Sequence, residues 1–509
     1  MRTSKQWLGI LLCLSLLAGC QPGESALNDP PPTDNPGITS SDVTPTATPT
    51  VTPTATPEAT PRPVYTPAKE DVQLWDADTP LSGTLYIRDV DEYTTFAYWG
   101  FEEDMAAFLA MHPGVTIKFV TEKITYPDDP LRYLQLFDET ANADIANVSF
   151  YEFYNYADKG YFVDLRQYME ADPNFHMEDY YTNVFDAYLY KGGQYAFPLS
   201  FVYDLAAMNK TAPDGLLADF TAKDGISTAQ MIDMFTQSGL QGQKDMVSYT
   251  SFDRLVFDTI TCEFIDYENK TCDFDNERFI NLLQTSRAVL AEDMQTEEKA
   301  SARFYTDRSD EREGQIAAQF LFRRVAPSEK QYVFPGFTPT NLFTDAIPIV
   351  NTQGEIPIWT TDLFAIPANS PNKALAWEFI KYLASVEVQS KRVYDEPVVN
   401  RAAFAAVEAE NIALYLENDV YYFENHADRE GVIAGYIDDT AAITAMTDEA
   451  IATHDKWNRM PMTIYTGMHR SVLNPVYDAI DLYFYDIYTE EQAAALVQEQ
   501  VSAALDALR

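Results

Sequence analysis

Apolar and polar residues alternate through Thr84-Leu85-Tyr86-Ile87-Arg88, with Leu85 and Ile87 on one side, which predicts a half-buried strand. Phe101, Met105, Phe108 and Leu109 then recur at helical spacing. Pro113-Gly114 ends that helix, and Val115, Ile117 and Phe119 alternate as a second strand. Strand, helix and strand in so short a stretch form a βαβ unit, so these two strands are expected to be parallel. Asp144-Ile145-Ala146-Asn147-Val148 reads as a further strand, and a helical stretch from Tyr151 ends at Gly160. Ligands of open parallel sheets bind at the carboxyl ends of the strands. The loops 88–99, 122–126 and 149–151 are therefore expected to converge on one edge.

The pattern before residue 83 is of another kind. An apolar stretch runs from Trp7 to Leu17 behind Arg2 and Lys5, and closes on Leu17-Ala18-Gly19-Cys20. A charged start, a short apolar run and small residues describe a secretory signal. The cysteine directly after them resembles the bacterial lipobox. That resemblance implies removal of 1–19 as a signal peptide, a fatty acyl (palmitate-type) anchor on Cys20, and a place on the outer face of the cell membrane. Residues 20–82 follow as a linker in which Pro45, Pro49, Pro53, Pro57 and Pro61 recur every fourth position among threonines and alanines. Few large apolar groups offset the ordering entropy there, so the segment is expected not to fold. Extended at about 3.1 Å per residue it would reach roughly 190 Å, and as a coil nearer ~40 Å. A mucin-like stalk is the alternative reading of such repeats.

The remaining 83–509 is long enough for two domains, and no later stretch is apolar enough to span a bilayer. The formal charge is −43, from 35 basic and 78 acidic residues, a surface that repels nucleic acid and anionic lipid. Of four cysteines, Cys13 leaves with the signal and Cys20 is the anchor, leaving Cys262 and Cys272 as either a disulfide or two free thiols. No Cys/His zinc spacing occurs, and no HExxH, GxSxG or P-loop is present, so no metal, cofactor or catalytic group is expected. Asp273, Asp275 and Glu277 alternate like the start of a calcium loop, but Arg278 stands where its glycine belongs, and the segment reads as a solvated turn. Ser370-Pro371-Asn372-Lys373 fits SxxK without the companion SDN and KTG. It reads better as a helix start, with Ser370 the N-cap, Pro371 the first helical residue, and Ala376, Phe379, Ile380 and Leu383 the buried face. A glycosidase needs only two carboxylates, so a surface glycan hydrolase remains an alternative function.

Several ordered segments together resemble the extracellular solute-binding proteins of family 1, the maltose-binding type, which serve as lipoprotein receptors of bacterial sugar ABC importers. They are His112-Pro113-Gly114-Val115-Thr116-Ile117, Asp144-Ile145, Gly160-Tyr161-Phe162-Val163-Asp164-Leu165, and Gly193-Gln194-Tyr195-Ala196-Phe197-Pro198 with Asn209-Lys210 after it. Ser370-Pro371-Asn372-Lys373-Ala374 through Phe379, Pro397-Val398-Val399-Asn400-Arg401 through Phe404, and the stretches 461–475 and 489–505 continue the series. Residues 216–331 match poorly. The resemblance implies an α/β, two-lobed periplasmic-binding-protein-like (type II) fold, with two mixed sheets flanked by helices and three inter-lobe crossovers at 198–203, 358–362 and 397–401. The N-terminal lobe would comprise 83–199 and 361–400, and the C-terminal lobe 200–360 and 401–509. The implied function is a non-enzymatic, monomeric carbohydrate receptor that closes on its ligand and docks onto ABC permease subunits, or feeds a sensor kinase.

A sugar presents apolar C–H faces and a ring of hydroxyls, so its site needs aromatic walls and fixed polar groups. Trp359, at a crossover, serves as a stacking wall or as hinge packing. Tyr465 matches the region of the family's C-terminal stacking aromatic, or packs the core. Tyr203 and Phe201 are expected to line the floor, with the core as the alternative for Phe201, and Trp99 and Tyr98 line the site or pack a helix start. Asp89, Asp91, Glu122, Asp204, Asp362 and Arg401 are the candidate hydroxyl partners, each with a solvated surface role as the alternative.

Overall fold

Leu85 and Ile87 are fully buried in β1 (Ser82–Arg88), as their alternation predicts, in a computed structural model of the chain. The structure describes residues 72–88, 101–120, 143–148, 153–241, 243–247, 263–290, 320–327, 343–360, 362–392, 397–425, 440–464 and 470–507. All of these belong to one compact unit, Tyr65–Arg509. β1 pairs in parallel with β2 (Gly114–Val120), from Ser82 against Gly114 to Arg88 against Val120. Between them runs α1 (Phe101–Met111), which buries Phe101, Met105 and Phe108. A Cβ at Gly114 would lie 2.9 Å from the Leu81 carbonyl oxygen, so only glycine fits where β2 begins. The expected inward set of β2 is only partly realised: Val115 is buried, Ile117 half-buried, and Phe119 is 41% exposed. The reason is position, since β2 is the outer strand of its sheet.

β3 (Ile145–Asn147) lies parallel to β1 on its other side. The chain continues through α2 (Phe153–Asp158) to Gly160, whose φ of +72° supplies the left-handed backbone that ends such a helix. α3 (Leu165–Ala171) and α4 (Thr182–Ala187) precede β4 (Phe197–Pro198). The second sheet begins with β5 (Leu205–Met208). Then follow α5 (Asp214–Thr221), β6 (Ile226–Ser227), α6 (Thr228–Ser238), β7 (Asp245–Val247), and the hairpin β8 (Ile265–Asp266) and β9 (Thr271–Cys272). α7 (Glu277–Val289), β10 (Phe320–Val325), β11 (Ile347–Val350) and β12 (Ile356–Ile358) lead back to β13 (Leu363–Ala365). The chain closes with α8 (Lys373–Leu383), α9 (Val386–Gln389), α10 (Arg401–Asn425), α11 (Thr440–Trp457), β14 (Met462–Ile464), α12 (Arg470–Phe484) and α13 (Glu490–Ala507).

The first sheet has the order β2-β1-β3-β13-β4 and the second β6-β11-β5-β10-β7. Both are mixed: β13 runs antiparallel to β3 and β4, and β5 antiparallel to β10 and β11, while β6–β11 and β7–β10 are parallel. Two buried clusters form: one is built on the first sheet and reaches one face of the second through Leu205, Ala207, Val325 and Val350, and the other covers the opposite face of the second sheet. Trp377, Phe379 and Ile380 of α8 pack the first, and Val472, Val476 and Ile480 of α12 with Val497 and Val501 of α13 pack the second. The stretch 401–509 contributes to both clusters. Ala403, Phe404, Trp457 and Met462 join the first core, where Phe404 meets the Tyr181 ring edge-on at 5.7 Å.

Ser370 does not cap a helix. α8 starts at Lys373, with Asn372 in the cap position and no side-chain cap bond. Ser370 is buried, donates to Asp144 Oδ1 at 2.6 Å and accepts from the Asn372 N–H at 3.0 Å. Asp144 Oδ2 accepts from the Tyr86 N–H at 2.9 Å, and Asn372 Nδ2 donates to the Thr84 carbonyl at 3.1 Å. A buried carboxylate is costly unless paired, and this serine pins α8 to the first sheet by supplying one partner. The acidic run before α7 is likewise structural: Asn276 Oδ1 accepts from the N–H groups of Arg278 and Phe279 at 2.9 and 3.1 Å.

Candidate ligand site at the crossovers

The expected crossovers lie where β4 of the first sheet passes into β5 of the second, where β12, paired with β14 apart from both sheets, passes into β13, and where 397–400 leads into α10. These three segments hydrogen-bond to one another. Val202 and Trp359 exchange both backbone bonds, at 2.7 and 3.0 Å, and the Leu199 N–H donates to the Asp362 carbonyl at 2.9 Å. On the other side the Phe201 N–H donates to the Pro397 carbonyl at 2.9 Å and the Val399 N–H to the Leu199 carbonyl at 3.3 Å. Residues 199–202 are thus the middle strand of a three-strand ribbon. Its side chains add ties: Ser200 Oγ is 2.9 Å from Thr360 Oγ1 and donates to Asp362 Oδ2 at 3.3 Å. Asn400 Oδ1 accepts from the Ala402 and Ala403 N–H groups at 3.1 and 3.2 Å, starting α10 where the ribbon ends.

Alternation along the middle strand separates two faces. Phe201 and Tyr203 are both fully buried, with rings stacked at 6.1 Å. They were expected as candidates for the ligand floor; packing against Tyr181 and Asn458 leaves them no surface to offer. Tyr203 Oη donates to Asn458 Oδ1 at 2.9 Å, and Tyr181 Oη donates to Asp455 Oδ1 at 2.8 Å. Burial pushes the Tyr203 phenol well above its ordinary range and does the same to Tyr181, where the Asp455 carboxylate adds to it. Burial pushes the Asp455 carboxyl up, but hydrogen bonds from Arg459 and Tyr181 outweigh it and hold the group below the usual carboxylate range. Close by, His454 Nδ1 and Glu408 Oε1 lie 2.8 Å apart, both buried.

The other face carries Val202, Asp204 and Trp359, all half-buried. Val202 and Trp359 are directly opposed, so their side chains share that face. Asp204 forms an ion pair with Arg324 of β10, each about four-fifths buried by side chain (20% and 19% exposed). A half-buried tryptophan on the same ribbon face as a paired carboxylate can offer an apolar wall and directed hydrogen bonds together. Arg324 was not among the sequence candidates; the only mark was the adjacent pair Arg323-Arg324 at the end of the apolar run Phe320-Leu321-Phe322.

The other candidates scatter. Asp362 is engaged in the ribbon, and Arg401 Nη1 donates to the Glu178 carbonyl at 3.1 Å. β12 and β14 pair in parallel with Ile358 against Ile464, and Tyr465, next in sequence, lies outside the described residues. Asp89, Asp91, Trp99 with Tyr98, and Glu122 also lie outside them, as do Cys20 and Cys262. The parallel strands β1, β2 and β3 end at Arg88, Val120 and Asn147, on the edge from which the expected binding loops depart. Cys272 is a free thiol, with Sγ 3.3 Å from Ser502 Oγ, and Cys262, the other half of the possible disulfide, lies outside the described residues. Among the described residues no three His, Cys, Asp or Glu side chains gather as a metal site, and no helix is long and apolar enough to cross a membrane.

Two α/β halves, each with a mixed sheet and joined by three paired crossovers, define the two-lobed binding-protein fold of type II. The family model for bacterial extracellular solute-binding proteins matches residues 94–390, more than half of the chain. The chain belongs to that family. In structure it is similar to a putative oligosaccharide periplasmic-binding protein from Synechococcus sp. MITs9220, with a TM-score of 0.54 at 14% identity, covering 83% of this chain and 99% of that one. The sugar-binding protein MalE from Xanthomonas citri gives a TM-score of 0.54 at 13% identity, covering 84% and 98%. An extracellular solute-binding protein of family 1 from Alicyclobacillus acidocaldarius gives 0.51 at 12% identity, covering 85% and 100%. No curated protein matches the sequence.

Proposed function

We propose that this solute-binding protein is a carbohydrate receptor, held by an acylated Cys20 on the outer face of the cell membrane and delivering its sugar to an ABC permease. The observation that supports the sugar assignment is the half-buried ribbon face that Trp359 shares with Val202 and with Asp204, the carboxylate paired to Arg324. A ring C–H face packs on the indole, and hydroxyls pair with the carboxylate and guanidinium, charge-assisted bonds that are stronger than neutral ones. The sugar- and oligosaccharide-binding descriptions of the structurally similar proteins support the same class of solute. Ahead of Val72, Leu74 and Trp75, which pack against the first core in place of the linker expected to run to 82, the remaining linker gives the folded part reach from the membrane without entering it.

Thermal melts against a panel of mono- and oligosaccharides test the solute. A ligand that binds only the folded state stabilises it by about 2.7 kcal/mol at a hundred times its dissociation constant. At least one sugar is expected to raise the melting temperature. A panel that is silent with every sugar but responds to peptides or polyamines overturns the assignment. The anchor is tested separately: Cys20→Ser is expected to move the protein from the detergent phase to the aqueous phase.

A further inference from the structure

A second connection between the two halves lies apart from the ribbon. The β8–β9 hairpin belongs to the second half: Phe264 and Ile265 are in its core, and Cys272 and Gln498 tie the hairpin to α13. From there Lys270 Nζ reaches Asp158 Oδ2, 3.0 Å away at the end of α2 in the first half. The pair is largely buried, with side-chain exposures of 11% and 22%. Tyr267 packs against both cores, its ring 5.7 Å from that of Tyr154, which in turn lies 5.3 Å from Tyr190. Tyr154 stands in the first turn of α2, a few residues past the carboxyl end of β3, the edge that faces a ligand in this kind of sheet.

Asp158 is prepared for this contact. Tyr190 Oη donates to its Oδ2 at 2.8 Å and Lys191 Nζ to its Oδ1 at 2.6 Å, both from the first half. Lys191 and Lys270 have φ of +48° and +54°, left-handed backbone that residues bearing a Cβ rarely adopt. Such conformations persist where surrounding contacts fix them, and they collect at clamps and switches. Here both strained residues converge on one carboxylate.

We propose that the β8–β9 hairpin is a latch, in which Lys270 and Tyr267 close on Asp158 and Tyr154 and set how readily the two halves separate. An attachment away from the ribbon, across the ligand edge, opposes rotation of the halves about it. A two-state hinge responds to any contact present in one state only. The latch is a property of the fold and needs no ligand, so it stands or falls apart from the sugar assignment.

The test is a pulsed electron-resonance distance between spin labels on noncanonical side chains at positions 111 and 487, one on each half and 49% and 60% exposed in the native protein. The full chain is measured without ligand. In wild type one distance is expected to dominate. Lys270→Gln and Tyr267→Ala are each expected to raise a second, separated population about threefold to fivefold. Lys270→Arg is expected to retain the wild-type distribution. Lys191→Gln, which removes a partner of the same carboxylate within the first half, is expected to leave it unchanged. An unaltered distribution in both Lys270→Gln and Tyr267→Ala, with both proteins folded by thermal melt, overturns the latch. Equal broadening by Lys191→Gln also overturns it, because the effect is then local loosening.

Discussion

The phenol of Tyr203 donates to the side-chain oxygen of Asn458 at 2.9 Å, across 255 positions of the chain. It ties the first crossover to the end of α11. Asn458 is itself fully buried, and its backbone carbonyl accepts from Asn183 Nδ2 at 2.9 Å. Tyr203→Phe removes the donor and leaves a buried amide oxygen without it. The expected loss of stability is about 1–3 kcal/mol, read by chemical denaturation. Because both rings lie on the buried face, ligand affinity in the folded variant is expected to be unchanged.

Ser370→Ala is expected to act through Asp144. The serine supplies one of the bonds on that buried carboxylate, and losing it strands Oδ1 with only a longer contact from Asn372 Nδ2 at 3.3 Å. Destabilisation of about 1–3 kcal/mol is expected. The same variant separates the two readings of the SxxK sequence: ligand binding and the absence of acyl-enzyme formation with β-lactams should match wild type. A wild-type melting temperature would show that Ser370 contributes nothing to the junction.

The strands and the first helix were legible because burial on one face writes a period into the chain. Leu85 and Ile87, or Phe101, Met105 and Phe108, show that face directly. Polar partnerships leave no such period. Ser370 and Asp144 are 226 positions apart, and nothing near either names the other. The same limit explains the site. Residues 199–203 were recognisable as a crossover, but which side of it faces inward depends on Asn458, Tyr181 and Pro397, which come from elsewhere. Choosing the larger aromatics, Phe201 and Tyr203, selected the buried side. The hairpin that carries Lys270 falls in the stretch 216–331, where the family resemblance was poorest.

Stability toward acid follows from two paired carboxylates, Asp172, which is buried, and Asp455, which is partly exposed. Burial pushes the Asp172 carboxyl up, but hydrogen bonds from Lys381, Asn174 and Trp377 outweigh that and leave it below its ordinary value. Asp455 is held down in the same way by Arg459 and Tyr181. A folded-state value below the unfolded one means the contribution is complete above the unfolded carboxylate range, about pH 4, and is lost as pH falls through the folded value. The melting temperature is therefore expected to fall on acidification below about pH 4. Asp172→Asn and Asp455→Asn should each flatten that part of the profile while lowering stability at neutral pH. A profile in both variants that keeps the wild-type slope would remove these carboxylates from the account.

Trp359 separates the binding face from the hinge. Its backbone exchanges two hydrogen bonds with Val202, and those do not depend on the side chain. Trp359→Ala therefore leaves the ribbon ladder in place and removes only the indole from the half-exposed face it shares with Val202 and Asp204. If the indole is the stacking wall, affinity for the sugar found by the melt panel is expected to fall about tenfold, the loss of an aromatic contact worth about 1.4 kcal/mol. Trp359→Phe should recover part of that loss, since a smaller ring still offers a flat face. If the indole merely packs the hinge, the order reverses: denaturation shows the loss in stability, and titration of the folded fraction gives the wild-type affinity. Isothermal titration and denaturation on the same three proteins decide between the two. Arg324→Gln is the companion measurement, because it leaves Asp204 without its guanidinium while keeping the indole, and it is expected to weaken binding only if the polar half of the face meets the solute.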